Sequence, residues 1–290
     1  MQPTATFPGI TLDRDTEPWV GTFPGVGRVM VAADGTVDVT VDPLDSGSDV
    51  ADEPHHPPAA SSPGAPSSDT PEMREAALRH GWGEALSWAR RGYLCLGGGA
   101  VTPDPTKGCV VITGELHEFG RVLPELAQRG WGFLSDRYTP AQWDGGALLA
   151  YPREAPVLLS RRRARTVGWE STTVRGATDA VTVTVPRVDV ATRVVGVVTL
   201  ARRRLGEPAF EALTGHRRFE VAANLRVDGA LAPARPEGDT AADPGHHLAE
   251  QLRLATLPTA RWRADNDDDL IPADVDQLQQ WWHEITASAS

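Results

Sequence analysis

Three kinds of side chain in this sequence carry chemistry: a strand-end carboxylate, a loop histidine and clustered arginines. Ser135-Asp136 closes the short apolar run Gly132-Phe133-Leu134. A carboxylate there can hold a divalent cation or act as a general base, and its plainer role is to cap the next turn. His117 stands in the glycine-flanked stretch 113–121 as an acid–base candidate near neutral pH. A lone loop histidine is more often simply solvated. Arg121 and Arg137 can bind an anion directly or pair with Glu115, Glu118 or Asp144, and pairing is the stronger expectation. Arg161-Arg162-Arg163, with Arg165, suits a carboxylate-bearing or phosphorylated partner; as a bland alternative it guards a sheet edge. Arg202-Arg203-Arg204 carries the same ambiguity.

Other chemistries are thinly represented. Of the 28 basic residues in the 290-residue chain, 27 are Arg and only Lys107 is Lys, so a mechanism needing a lysine must use Lys107 or do without. Lys107 lies in the turn-rich connection 102–108. Against 39 acidic residues the net charge is −11, which argues against general nucleic-acid binding. Cys95 and Cys109 are too few for a Cys₄ zinc site and lack CxxC spacing. His55-His56 sits in a polar tract where solvation outweighs metal binding, and the run 265–269 lacks the glycine and terminal glutamate of a calcium loop. No apolar stretch reaches the roughly 18 residues of a membrane span, and no secretory signal opens the chain. A cytoplasmic protein with no metal site and no membrane or nucleic-acid partner is expected.

Elements to position these groups follow from periodicity and turn chemistry. Alternating segments 26–31 and 37–41 around Asp34-Gly35 predict a small N-terminal hairpin, giving a region 1–42. Residues 43–70 collapse into Asp, Ser, Pro, Gly and Ala and read as a disordered linker. A core is expected over 71–227, then a polar linker over 228–244 and a helical segment over 245–290. Within the core, a capped helix ends near Arg90-Arg91-Gly92. Strands are predicted over 93–96, 109–112, 132–135, 146–151, 181–185 and 194–200. Helices are predicted over 118–128, 207–213, 246–255 and 273–285, the last with Leu278, Trp281, Trp282 and Ile285 on one face.

The unit 109–136 is thus strand, loop, helix, strand, the skeleton of a phosphate-binding βαβ unit. Flanking it are Gly92-Tyr93-Leu94-Cys95-Leu96-Gly97-Gly98-Gly99, then Arg129-Gly130-Trp131-Gly132-Phe133-Leu134-Ser135-Asp136, then Asp144-Gly145-Gly146 and Tyr151-Pro152-Arg153. In this order the motifs resemble the HPr kinase-like family over about residues 72–165. The resemblance implies an α/β fold with the mixed sheet and flanking helices of HPr kinase and PEP carboxykinase.

It also implies a phosphate loop, and here the chain departs from the pattern. The family's G-x-x-x-x-G-K-[ST] is replaced by a degenerate loop containing Gly114, Glu115, His117, Glu118, Gly120 and Arg121. No lysine reaches toward a phosphate, no hydroxyl follows it, and Glu115 and Glu118 would repel one. The family histidine corresponds to Gly97 or Gly98, and its Asp-Asp pair to Asp136-Arg137. The expectation is a pseudokinase without a cofactor, binding a peptide or protein partner and able to self-associate. Resemblance alone suggests bacterial peptide natural-product biosynthesis as the setting. The alternative is an atypical kinase using Mg-ATP, or another peptide-modifying enzyme, with His117 and Asp136 as catalytic candidates and Arg137, Arg161, Arg162 and Arg163 holding the anion or partner.

Overall fold

The structure is a computed structural model that describes residues 11–13, 17–23, 26–42, 75, 78–114, 116–154, 157–166, 171–173, 180–203, 206–226, 244–264 and 272–288. The expected linker 43–70 and nearly all of 228–244 lie outside the described residues, as do His55-His56 and the acidic run 265–269.

The predicted hairpin is present, and it is part of a larger sheet. Strands β1 (Thr11–Asp13), β2 (Trp19–Phe23), β3 (Gly27–Val31) and β4 (Val37–Val41) form a four-stranded antiparallel meander. Alternation along β3 turns Val29 and Val31 inward and leaves Arg28 and Met30 outward. The inward face rests on Leu78 and Leu86 with Phe23, Trp19 and Trp82 around them. The helix beneath was expected to be a regular α-helix over 71–90. Instead a π-helical segment, Leu78–Gly83, runs into α1 (Glu84–Arg90). Glycines at positions 81 and 83 lower the cost of that irregularity, and a side chain at Gly83 would strike Val37 Cγ1 at 2.5 Å. The helix packs so tightly against β4 that sheet contact, rather than helix propensity, sets its geometry.

The main sheet is mixed. Its order is β5 (Leu94–Gly97), β9 (Tyr138–Asp144), β10 (Ala147–Ala150), β14 (Thr192–Arg202), β7 (Cys109–Thr113), β6 (Gly99–Thr102), β8 (Gly132–Phe133). Strand β16 (Thr259–Ala264) also lies beside β14, in parallel, and carries β15 (Phe210–Leu213) on its far edge. A small antiparallel sheet of β11 (Val157–Ser160), β13 (Ala180–Val183) and β12 (Ser171–Thr173) covers part of one face. With it on that face are α2 (Leu116–Gln128) and α6 (Pro272–Ser288), burying Leu123, Leu126, Trp281 and Trp282. Helices α4 (His216–Leu225) and α5 (Pro244–Leu254) cover the other. Strand β7 explains its unbroken apolar run by this double cover. Val110 and Ile112 face the first layer while Cys109 and Val111 face the second, all fully buried. The fold class is α/β, a mixed sheet with flanking helices, as the sequence predicts.

Three sequence expectations are corrected. Residues 210–213 are strand β15, not helix, because Phe210↔Trp262 through Leu213↔Thr259 pair along β16. Helix α2 begins at Leu116, so most of the expected loop 113–119 is helical; the apolar spacing Leu116, Phe119, Leu123, Leu126 already extends that far. The arginine patch follows strand β11 as expected but stands on a short helix, α3 (Arg161–Thr166), whose Ala164 is buried in the core.

Candidate functional site

The strand-end carboxylate is the entry point. β8 is followed by Leu134-Ser135-Asp136, and Ser135 anchors this end of the sheet. Its hydroxyl accepts from the Ala100 N–H at 2.9 Å and lies 2.7 Å from Thr139 Oγ1, which donates to the Gly98 carbonyl at 3.0 Å. Gly98 has φ 131°, and a Cβ there would sit 2.2 Å from the Ile112 carbonyl oxygen, so only glycine fits where β5 turns into β6. The glycine run is therefore structural. It brings the Asp136 corner against β7 and opens no helix, as a dinucleotide loop would.

Asp136 is buried, and its carboxylate is occupied by arginine. Arg153 Nη1 donates to Asp136 Oδ1 at 3.0 Å, while Arg137 Nε lies 3.9 Å from Oδ2. The Arg153 side chain is 1% exposed and Asp136 8%. Arg153 Nη2 donates to Glu84 Oε2 on α1 at 2.5 Å and to the His80 carbonyl at 3.0 Å. Tyr138 completes the cluster, its hydroxyl donating to Glu84 Oε2 at 3.1 Å and its ring lying 3.9 Å under the Arg153 guanidinium. His80 Nδ1 is 2.9 Å from Glu84 Oε1. The Arg153 backbone is itself fixed, its N–H donating to the Leu134 carbonyl at 2.7 Å and its carbonyl accepting from Arg187.

Electrostatics inside the cluster follow from burial. Desolvation alone would raise the Glu84 carboxyl, yet the Arg153 hydrogen bond and charge, with His80 and Tyr138, hold it below its ordinary value. Burial pushes the Tyr138 phenol upward, so it stays a donor at neutral pH. Burial also lowers Arg137, with the Asp136 charge working against the shift. Arg153 is held above its ordinary value: its two carboxylates and Tyr138 outweigh its desolvation. Two carboxylates and two guanidiniums thus close on one another, with net charge near zero.

The connection between β7 and α2 is short. Between the end of β7 and the start of α2 lie only Gly114 and Glu115. A backbone cradle for polyphosphate needs several residues of loop there. His117, Glu118, Gly120 and Arg121 stand in the first turns of α2, and their side chains, with Glu115, lie outside the description. Lys107 is at the opposite end of β7, 3.5 Å from Asp104 Oδ2 and 6.0 Å from the Trp282 ring centre. Five residues of strand separate the two ends, about 17 Å. Arg161 is half-buried on α3, and the side chains of Arg162 and Arg163 lie outside the description. Among the described residues no three His, Cys, Asp or Glu side chains converge on a possible metal position.

The sequence reading found Asp136 and Arg137 but gave no role to Glu84, Tyr138 or Arg153. Arg153 had been visible only as the last residue of Tyr151-Pro152-Arg153; a buried arginine after an apolar strand demands carboxylate partners, and that was the available signal.

No protein-family model matches the chain, and no curated protein matches it in sequence. Among solved structures, the chain is similar to the Hpr(Ser) kinase/phosphatase from Coxiella burnetii at 12% identity, over 65% of this chain and 98% of that one, with a TM-score of 0.31.

Proposed function

We propose that this chain is a nucleotide-degenerate, HPr kinase-like binding protein, a pseudokinase whose partner is a peptide or another protein. The observation that carries the reading is the capture of Asp136 by Arg153 inside a buried, self-neutralised cluster. A carboxylate so held is a poor magnesium ligand, because releasing it would strand a buried guanidinium. The two-residue β7–α2 connection and the remote, paired Lys107 support the same reading. The sequence run Arg161-Arg162-Arg163 would give an acidic chain a basic segment to meet an acidic stretch of the partner, such as a precursor peptide in bacterial natural-product biosynthesis.

The test is calorimetric titration and thermal unfolding with Mg-ATP. Ligand at 100-fold over its Kd would stabilise the fold by about 2.7 kcal/mol. The expected result is neither heat of binding nor a change in Tm. A raised Tm that Asp136→Asn abolishes would overturn the proposal and restore a nucleotide-using enzyme.

A further inference from the structure

The four-stranded N-terminal sheet ends in a strand with a neighbour on one side only. β4 pairs with β3, and its other edge meets no strand among the described residues. At five residues it is the longest strand at a sheet edge among them. Two edges of the main sheet are covered. β8 exchanges hydrogen bonds with the Pro186 carbonyl and the Val188 N–H, and β5 bridges to Arg226 through Leu96. Open edges are commonly blunted by lysine, proline or a bulge. β4 reads Val-Asp-Val-Thr-Val, and its register with β3 is unbroken.

The direction of its free hydrogen-bonding groups is fixed. The Asp42 N–H donates to the Val26 carbonyl at 3.1 Å, and the Ala32 N–H to the Thr36 carbonyl at 2.9 Å. These bonds flank the pairs Gly27↔Val41 and Val31↔Val37, which are therefore the non-bonded pairs of the ladder. Asp38 and Thr40 bond to β3, while Val37, Val39 and Val41 turn N–H and C=O toward the open edge. Arg79 Nη1 donates to the Val37 carbonyl at 2.9 Å, in keeping with that direction, and the carbonyl keeps a second lone pair. On the outer face, Asp38 stands beside Met30, and Thr40 beside Arg28. Arg28 and Asp38 are exposed, and neither has an ion pair among the described residues.

We propose that β4 pairs with β4 of a second copy of this chain, antiparallel about a two-fold axis at Val39. That register sets Val39 against Val39, Val37 against Val41, and Asp38 against Thr40 of the second copy. Every outward-turned valine then gains a bonded partner, and a carboxylate meets a hydroxyl instead of a like charge. One strand further along the same row stands Arg28 of the second copy. Two strand spacings separate its Cα from that of Asp38, about 10 Å, which an extended arginine spans. The symmetry makes this pairing of opposite charges twice. On the inner face the helical segment Leu78–Gly83 lies over β3 and β4. The axis places two such segments about 10 Å apart, the spacing of packed helices. This interface does not depend on the reading of Asp136.

The test is sedimentation equilibrium of the full chain. Association to twice the chain mass is expected, with dissociation in the micromolar range because so small an interface is weak. Val39→Pro removes an outward N–H that β3 does not use, so it should melt close to the parent and lose the dimer. Asp38→Arg should weaken association about tenfold or more by setting like charges together, and adding Arg28→Asp should restore it. Should Val39→Pro unfold, the charge exchange decides, since both residues are exposed. A parent that stays monomeric would overturn the proposal and leave the edge to another occupant, such as an extended peptide. A dimer unchanged by Asp38→Arg, or one whose weakening Arg28→Asp does not relieve, would overturn it as well.

Discussion

The two ends of the main sheet are built on opposite principles. Where β8 ends and α1 crosses, charged groups are many and paired: Asp136, Glu84, Arg153 and Arg137 meet one another, Tyr138 and Ser135 are hydrogen-bonded beside them, and the Arg153 Nε alone lacks a partner among the described residues. Where β10 gives way to β16, charged groups are few, and Arg193 is exposed beside a small groove. In open α/β sheets ligands are expected at the carboxyl ends of the parallel strands, the end where β7 meets α2. Among the described residues near that end, the Asp136 carboxylate is already paired with Arg153. The difference teaches that a motif's position in a fold does not by itself say where free binding capacity remains.

The largest expected effect breaks the paired end. Arg153→Met removes the guanidinium from a cluster in which Asp136 is 8% exposed, leaving that carboxylate without its main partner. Removing one member of a buried ion pair typically costs about 3–5 kcal/mol. Urea unfolding should report a loss of that size, and adding Asp136→Asn should recover part of it. If Arg153→Met costs under about 1 kcal/mol, the cluster is not the brace described here, and Asp136 is free for another ligand.

A smaller effect sharpens the open end. Gly196→Ala places a Cβ 2.7 Å from Trp281, 2.9 Å from Ile285 and 3.1 Å from the Pro258 carbonyl oxygen. Overpacking of this kind costs about 1–3 kcal/mol, and Ile285 is the neighbour able to give way, into the groove. The expected outcome is a moderate fall in Tm. An unchanged Tm would show that α6 yields freely at this contact.

Much of this contrast was hidden in the chain, for reasons that differ by region. The β7–α2–β8 unit was legible because its strand is apolar on both faces and its helix carries a clear stripe from Val122 to Leu126. Trp281 and Trp282 were legible as a core face by their spacing with Leu278 and Ile285, and both are buried. Strand β15 was misread because a short acidic-and-apolar segment, Phe210-Glu211-Ala212-Leu213, has no period of its own; only β16 makes it a strand. The paired end was illegible in another way. Asp136 was seen, but Arg153, which joins it to Glu84, lies 17 residues from the one and 69 from the other, and no local pattern encodes such a closure. The groove was least legible of all, since it arises from an edge shared by two strands that lie more than 100 residues apart in the chain.

Lys107 should give the smallest effect, and for that reason it tests the comparison most cleanly. The residue is rare enough in this chain to invite a catalytic role, and a lysine near phosphate would be indispensable to a kinase. Its Nζ instead lies 3.5 Å from Asp104 in the β6–β7 turn, with the pair substantially exposed, and faces Trp282 at 6.0 Å. Exposed pairs of this kind contribute about 0–1 kcal/mol. Lys107→Met should therefore unfold within roughly 1 kcal/mol of the parent, leaving the response to Mg-ATP unchanged. A nucleotide response present in the parent and lost in Lys107→Met would reverse the assignment of the two ends. It would mean that the single lysine, from the far end of β7, reaches a phosphate that the paired end does not hold.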